Sequence, residues 1–334
     1  MTPIILNEDN LSYMRRTVQS AAIPHAVIIE GAEGSGKYTL ARHFAAMINC
    51  ESGENAPCGV CPSCTKIFKE VHADVTCVDL AEDKKSISVS QVRQVISEAS
   101  LIPSEANKRI FIIRNGQALT VQAQNAFLKI FEEPPKDVIF IMLTTDKKLL
   151  LPTVVSRAVT LKTQLLPQDV LKAELCARTK KGEAETEAAV SVAQGSLGKA
   201  MELLSGTKIL KLRETVEKYF SLLSKPAPVY ALCRELSPNA FKRDELLMVF
   251  PFFRLAFRDI AVCKCGGGAP VFFTDTEIMK KAAANVSSEN IITLYEKTDK
   301  LCNALLSNIN PYTAVTVFNA YTAGYFRLGQ AGEK

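Results

Sequence analysis

Two short segments of the chain carry residue types that could do chemistry. The first is Gly31-Ala32-Glu33-Gly34-Ser35-Gly36-Lys37-Tyr38. Glycines at this spacing let successive backbone N–H groups face phosphate oxygens, and a lysine closing the loop reaches terminal phosphates. Gly31, Gly34, Gly36, Lys37 and Thr39 are therefore the candidate phosphate contacts. A hydroxyl that ligates Mg2+ belongs immediately after the lysine, and that position is Tyr38. Its phenol oxygen lies too far from the backbone to copy serine, and Thr39 is turned by about 100° around a helix. The second segment is Cys50-x7-Cys58-x2-Cys61-x2-Cys64, with Pro57, Gly59 and Pro62 supplying turns. Structural zinc takes a tetrahedral shell of four thiolates, and a closed shell leaves no position for substrate. The spacing predicts one structural Zn2+ that folds an insertion too small to build its own core.

Both segments need elements to hold them. Ala26–Glu30, just before the loop, is an apolar run of strand length, as are 74–80, Arg109–Ile113, 138–143 and 158–161. Helical patterns alternate with them, including Gln91–Ala99 with Ser90 as its expected cap, and Val121–Phe131 ahead of Glu132-Glu133-Pro134-Pro135. Such alternation builds βαβ units and a parallel sheet. After Leu166-Pro167 the strands stop; 168–206 reads as a small helical bundle broken by Gly195 and Gly206. From Ile209 the chain stays helical, interrupted at Pro226, Pro228, Pro238, Gly266-Gly267-Gly268 and Pro311. The expected fold is an α/β P-loop domain over 1–163, helices on both faces of its sheet and a knuckle at 50–64, then a small helical lid over 164–207 and an all-helical collar over 208–334.

A P-loop domain that hydrolyses nucleotide also needs an acidic pair after its third or fourth strand, to hold metal and orient water. The strand at 110–113 is followed instead by Arg114-Asn115. A guanidinium repels Mg2+ and an amide cannot serve as a base, so no Mg2+ site and no hydrolysis are expected; the loop is degenerate and holds nucleotide weakly or not at all. Cys263-Lys264-Cys265 lacks nearby partner ligands and reads as thiols in or near a loop, and His25, His43 and His72 are scattered without a nucleophile pattern.

The bulk composition agrees with a cytoplasmic globular protein. The 334 residues are 47% hydrophobic and 22% charged, with a net charge of +5 that permits nucleic-acid contact without demanding it. No apolar stretch approaches the roughly 20 residues of a membrane helix, and the N-terminus has no signal pattern. Ten cysteines in such a chain are reduced thiols or metal ligands rather than disulfides. With no Trp and 7% aromatics, Leu, Ile, Val and Ala are expected to do most of the packing.

Several fragments, in one order, resemble the bacterial DNA polymerase III clamp-loader family. Pro24-His25-Ala26 resembles its lead-in to the phosphate loop, the cysteine knuckle follows with a first spacer one residue shorter, and His72-x-Asp74 comes next. Asn125-Ala126-Phe127-Leu128-Lys129-Ile130-Phe131-Glu132-Glu133-Pro134-Pro135 resembles the family's most recognisable run, Thr144-Thr145 its first sensor, and Ser156-Arg157-Ala158 its Ser-Arg-Cys motif. The likeness covers about 4 to 205; beyond it, helical character and Asn308-Ile309-Asn310 carry the match. It implies an AAA+ subunit of a hetero-oligomeric ring with gamma/tau-type ATPases and a delta-type wrench, working on a sliding clamp and primer-template DNA, with no membrane. Motor subunits of that family keep an intact loop, an acidic pair and an arginine after Gly-Ser-Leu; here Gly195-Ser196-Leu197 is followed by Gly198. The three losses, with Ser156-Arg157 retained, imply a rigid stator that is not itself an enzyme and that supplies Arg157 as an arginine finger in trans. The competing readings are a gamma/tau-type ATPase motor and a stand-alone zinc-containing nucleotide sensor outside replication.

Overall fold

Five apolar runs form the strands of one sheet: β1 (Ala26–Glu30), β2 (Val75–Val78), β3 (Arg109–Ile113), β4 (Val138–Thr144) and β5 (Val159–Lys162). In this computed structural model, which describes residues 7–53, 56–81, 84–205, 209–224, 229–268, 270–307 and 309–328, all pairings are parallel and the order is β2-β3-β4-β1-β5. Gly206, Pro226, Pro228 and Asn308 lie outside the described residues. The runs are continuously apolar because alternate side chains feed two cores. Val27, Ile29, Ile110, Ile112, Ile139 and Ile141 pack on one face. Ile28, Phe111, Ile113, Val138, Phe140 and Met142 pack on the other. This is the AAA+ arrangement that the motifs imply, and it gathers the loops leaving the strand C-termini along one edge, where open α/β sheets place their ligands.

The helices of this region are α1 (Glu8–Gln19), α2 (Lys37–Ile48), α3 (Pro62–Phe68), α4 (Val89–Ala99), α5 (Val121–Glu132) and α6 (Pro152–Val155). One cap differs from expectation. Ser88, not Ser90, caps α4: its Oγ accepts from Gln91 N while Gln91 Oε1 accepts from Ser88 N, a reciprocal box that Ser90 cannot make from inside the first turn.

The remaining helices are α7 (Gln168–Arg178), α8 (Glu183–Ala193), α9 (Leu197–Ser205), α10 (Ile209–Leu223), α11 (Val229–Glu235), α12 (Arg243–Lys264), α13 (Thr276–Ala284), α14 (Ser288–Leu306) and α15 (Pro311–Leu328). The chain divides into two compact units, 1–166 with 195–198, and 167–194 with 199–334. Within the second, α12 is the central helix, packed on α10, α13 and α14, while α8 packs on α7 and α10. Leu, Ile, Val and Ala supply most of the buried side chains here, as the composition implies, but Tyr219, Phe220, Phe250, Phe253, Phe257 and Phe318 form a fully buried cluster that packs ring on ring. The low overall aromatic content conceals this because the rings are concentrated on α10, α12 and α15. Tyr219, the one polar ring among them, donates its hydroxyl to Asn319 Oδ1 at 2.9 Å.

Candidate functional site

The phosphate loop leaves β1 and enters α2 with Gly36 at a φ of 86°, a left-handed conformation that glycine adopts without strain. Its own surroundings occupy it. Lys37 Nζ donates to Gly31 O at 2.7 Å and Ala32 O at 2.8 Å, and burial lowers the lysine pKa against the opposing charge of Glu33. Ser35 Oγ lies 2.7 Å from Thr163 Oγ1. Gly198 N donates to Gly34 O at 2.9 Å, and Ser196 Oγ to Glu33 O at 2.8 Å. A side chain at 198 would bring its Cβ to 2.7 Å from Gly34 Cα. The position that carries an arginine in motor subunits therefore has room for hydrogen alone. Thr39, half-buried in the first turn of α2, completes the set expected to face phosphate.

The two substitutions read separately in the sequence meet in space. Arg114, at the end of β3, lies with Cζ 4.5 Å from the centre of the Tyr38 ring. Its Nη1 is 3.2 Å from Asp79 Oδ2, and Asn115 Nδ2 donates to Asp79 Oδ1 at 2.6 Å. Burial raises the Tyr38 phenol pKa, and Cys77 hydrogen-bonded to it adds to the rise, so the ring stays neutral under the guanidinium. Asp79 was not among the sequence candidates. It arrives because β2 and β3 are parallel neighbours, so their C-terminal residues lie side by side. A cation thus sits beside Asp79 at this corner.

Arg157 follows α6. Its Nη2 donates to Glu132 Oε1 at 2.6 Å and its Nη1 to Thr153 O at 3.0 Å. Ser156 Oγ is 3.4 Å from Nη1 and itself donates to Thr153 O.

The four knuckle sulfurs converge: the Sγ atoms of Cys50, Cys58, Cys61 and Cys64 all lie within 4.8 Å of one another. Backbone N–H groups point at three of them, from Cys58 to Cys50 Sγ, Cys61 to Cys58 Sγ and Cys64 to Cys61 Sγ, at 3.3–3.4 Å. Such donors favour thiolates. The Cys58 thiol is drawn down to about 6 by hydrogen bonds from Ser52 and from the backbone of Cys61 and Val60. Cys64, the buried member, is pushed up by burial. Four converging sulfurs with aimed donors fit a tetrahedral metal, which would supply the cross-link that a core this small cannot. His72, given no role above, anchors the knuckle: its Nε2 is 3.3 Å from Ser63 Oγ and its Nδ1 accepts from Asp74 N. Asp74 is in turn paired with Arg109 Nη2 at 2.9 Å.

A P-loop AAA+ domain carrying a four-cysteine insert is the class that this geometry defines. The family model described as "DNA polymerase III, delta subunit" matches residues 6–167. Over 305 residues the chain is 24% identical to the DNA polymerase III subunit delta' of Bacillus subtilis (strain 168), covering 90% of this chain and 91% of that protein. It is 35% identical over 159 residues to the gamma/tau subunit of Mycobacterium tuberculosis (strain ATCC 25618 / H37Rv), covering 47% of this chain and 27% of that one. With the tau subunit of Escherichia coli (strain K12) it shares 30% identity over 173 residues, 52% of this chain and 26% of that one. The chain thus spans about a quarter of the length of these gamma/tau relatives. Its residues 6–167 resemble that DNA polymerase III family, and along 90% of its length the chain is similar to a clamp-loader delta' subunit. Among the described residues, no helix is long and apolar enough to cross a membrane.

Proposed function

We propose that this chain is the delta'-type stator of a cytoplasmic DNA polymerase III clamp loader: a subunit that does not hydrolyse ATP and that presents Arg157, with Ser156, to the γ-phosphate bound by a neighbouring ATPase. In this reading residues 1–163 form the AAA+ body, 164–207 a lid and 208–334 a collar that joins gamma/tau-type ATPases and a delta-type wrench in a ring, which loads the sliding clamp onto primed DNA. Cys50, Cys58, Cys61 and Cys64 hold one structural Zn2+.

The observation that carries the reading is the Tyr38–Arg114–Asp79 contact. Hydrolysis needs a metal bridging the β- and γ-phosphates and a group that orients water. At this corner a phenol and a guanidinium stand where the metal ligands would be, and they engage each other. The retained arginine supports the other half of the proposal. A guanidinium set against transferring phosphoryl oxygens is worth roughly 10³–10⁵ in rate in other nucleotide hydrolases.

A second reading, the ATPase motor, is favoured by one finding: the gamma/tau relatives reach 35% and 30% identity over 159 and 173 residues, against 24% for delta'. Steady-state ATP turnover of the purified chain separates the two. The stator shows none above background; turnover that disappears in Lys37→Ala assigns the motor role instead. Elemental analysis of the same freshly reduced preparation is expected to find about one zinc per chain, and finding none removes the metal from the proposal.

A further inference from the structure

The guanidinium of Arg157 is held from two elements. Glu132, the last residue of α5, takes Nη2 at 2.6 Å, and the Thr153 carbonyl in α6 takes Nη1 at 3.0 Å. These bonds, with Ser156 Oγ on Nη1, leave the Nε–H and the second hydrogen of Nη2 for a ligand outside the chain.

Fold stability does not account for the ion pair. The Glu132 side chain is 52% exposed and that of Arg157 34%, and pairs so open to water contribute little to stability. Direction is what the arrangement supplies. A free arginine side chain carries rotamer entropy that must be lost when it meets a phosphate. A carboxylate on one terminal nitrogen and a carbonyl on the other fix the plane of the fork beforehand. We propose that Glu132 is a positioning residue for Arg157, setting the guanidinium in its working orientation before a neighbouring subunit docks. The proposal rests on the reading of Arg157 as a finger in trans.

The test uses the reconstituted clamp loader with clamp and primed DNA, comparing wild-type chain, Glu132→Gln, Arg157→Ala and the double variant for kcat and KM of ATP turnover. Glu132→Gln keeps the size and an acceptor oxygen but loses the charge. It is expected to lower kcat at the facing site by about tenfold with KM for ATP unchanged, since misplacing a reacting group by about 1 Å can cost roughly 10² in rate. Added to Arg157→Ala it should cause no further loss, and Glu132→Asp, which restores the charge on a shorter stem, should recover part of the rate. Ring assembly by native mass spectrometry is expected to be unchanged throughout. Wild-type kcat in Glu132→Gln beside a slow Arg157→Ala overturns the positioning role and leaves the finger. An equal loss from Glu132→Gln in both backgrounds assigns Glu132 to the fold, and also overturns it. Wild-type rates in Arg157→Ala remove the finger itself, and the positioning role with it.

Discussion

Two corners of the α/β unit each hold an arginine against a carboxylate, and they hold it to different ends. At the tip of β3, Arg114 lies on the Tyr38 ring, and its partner Asp79 also accepts from Asn115 and from Leu80 N. Asp79 is shared by three donors there, and the Arg114 guanidinium covers a ring. After α6, Arg157 is gripped by one carboxylate oxygen and one backbone carbonyl, and among the described residues no ring lies beneath it. The arginines are about equally accessible, 43% and 34% exposed, so exposure does not separate them. What separates them is what holds each guanidinium: Arg114 covers a ring and shares its carboxylate with Asn115 and Leu80, whereas Arg157 is hydrogen-bonded from α5 and from α6.

If that distinction is right, the largest effect belongs to Arg157. In the reconstituted ring Arg157→Ala is expected to slow hydrolysis at the facing site by roughly 10³–10⁵ and to reduce clamp loading with it, while the isolated chain unfolds as the wild type does. Arg157→Lys should fail to restore the rate, because a compact ammonium lacks the planar fork. Full loading by either variant would make this corner as inert as the other.

A third pair calibrates the comparison from inside the fold. Asp74 is fully buried against Arg109 and accepts N–H bonds from Ser104, Glu105 and Ala106. Burial works to raise its pKa, but the donors of Glu105 and Ser104 and the Arg109 guanidinium outweigh it and hold the carboxyl well below the ordinary value. A depressed folded pKa means that the stabilisation is complete above the unfolded value near 3.9 and is lost as pH falls through the folded one. Asp74→Asn is expected to cost about 3–5 kcal/mol at neutral pH, as breaking a buried pair does, read from hydrogen exchange of the β2 and β3 amides in the full chain. The gap between variant and wild type should narrow below about pH 4. A neutral-pH cost under about 1 kcal/mol would place this pair with the exposed ones.

Much of this arrangement was legible in the residues alone. Residues 26–29 and 110–113 stand out as strands because burial on both faces leaves them uniformly apolar, and the glycine and cysteine spacings announce their chemistry locally. What could not be read is what the topology brings together. Asp79 and Arg114 are 35 positions apart and meet only because β2 pairs with β3. Glu132 reaches Arg157 because α5 ends beside α6. The closure of Gly198 on Gly34 likewise depends on a return of the chain that no local pattern encodes. Ser88 and Ser90 are both good caps by type, and only the reciprocal bond with Gln91 decides between them.

The smallest effect tests whether the closed corner is one contact or two coincident substitutions. A cation over a tyrosine ring at a partly exposed site contributes about 0.5–1 kcal/mol, so Tyr38→Leu and Arg114→Gln should each weaken the corner modestly. If the residues act together, the double variant should lose less than the sum, by a coupling of about that size. Global unfolding is a poor reading for a chain of two units; hydrogen exchange of amides in α2 and at the end of β3, measured on the full chain, reports the local opening instead. Neither substitution should create Mg2+-dependent turnover. Removing Arg114 supplies no carboxylate, removing Tyr38 supplies no hydroxyl, and Lys37 still lies against the Gly31 and Ala32 carbonyls. Strictly additive losses would show that Tyr38 and Arg114 are neighbours without a shared role, and the corner would then be inert through its missing metal ligands alone.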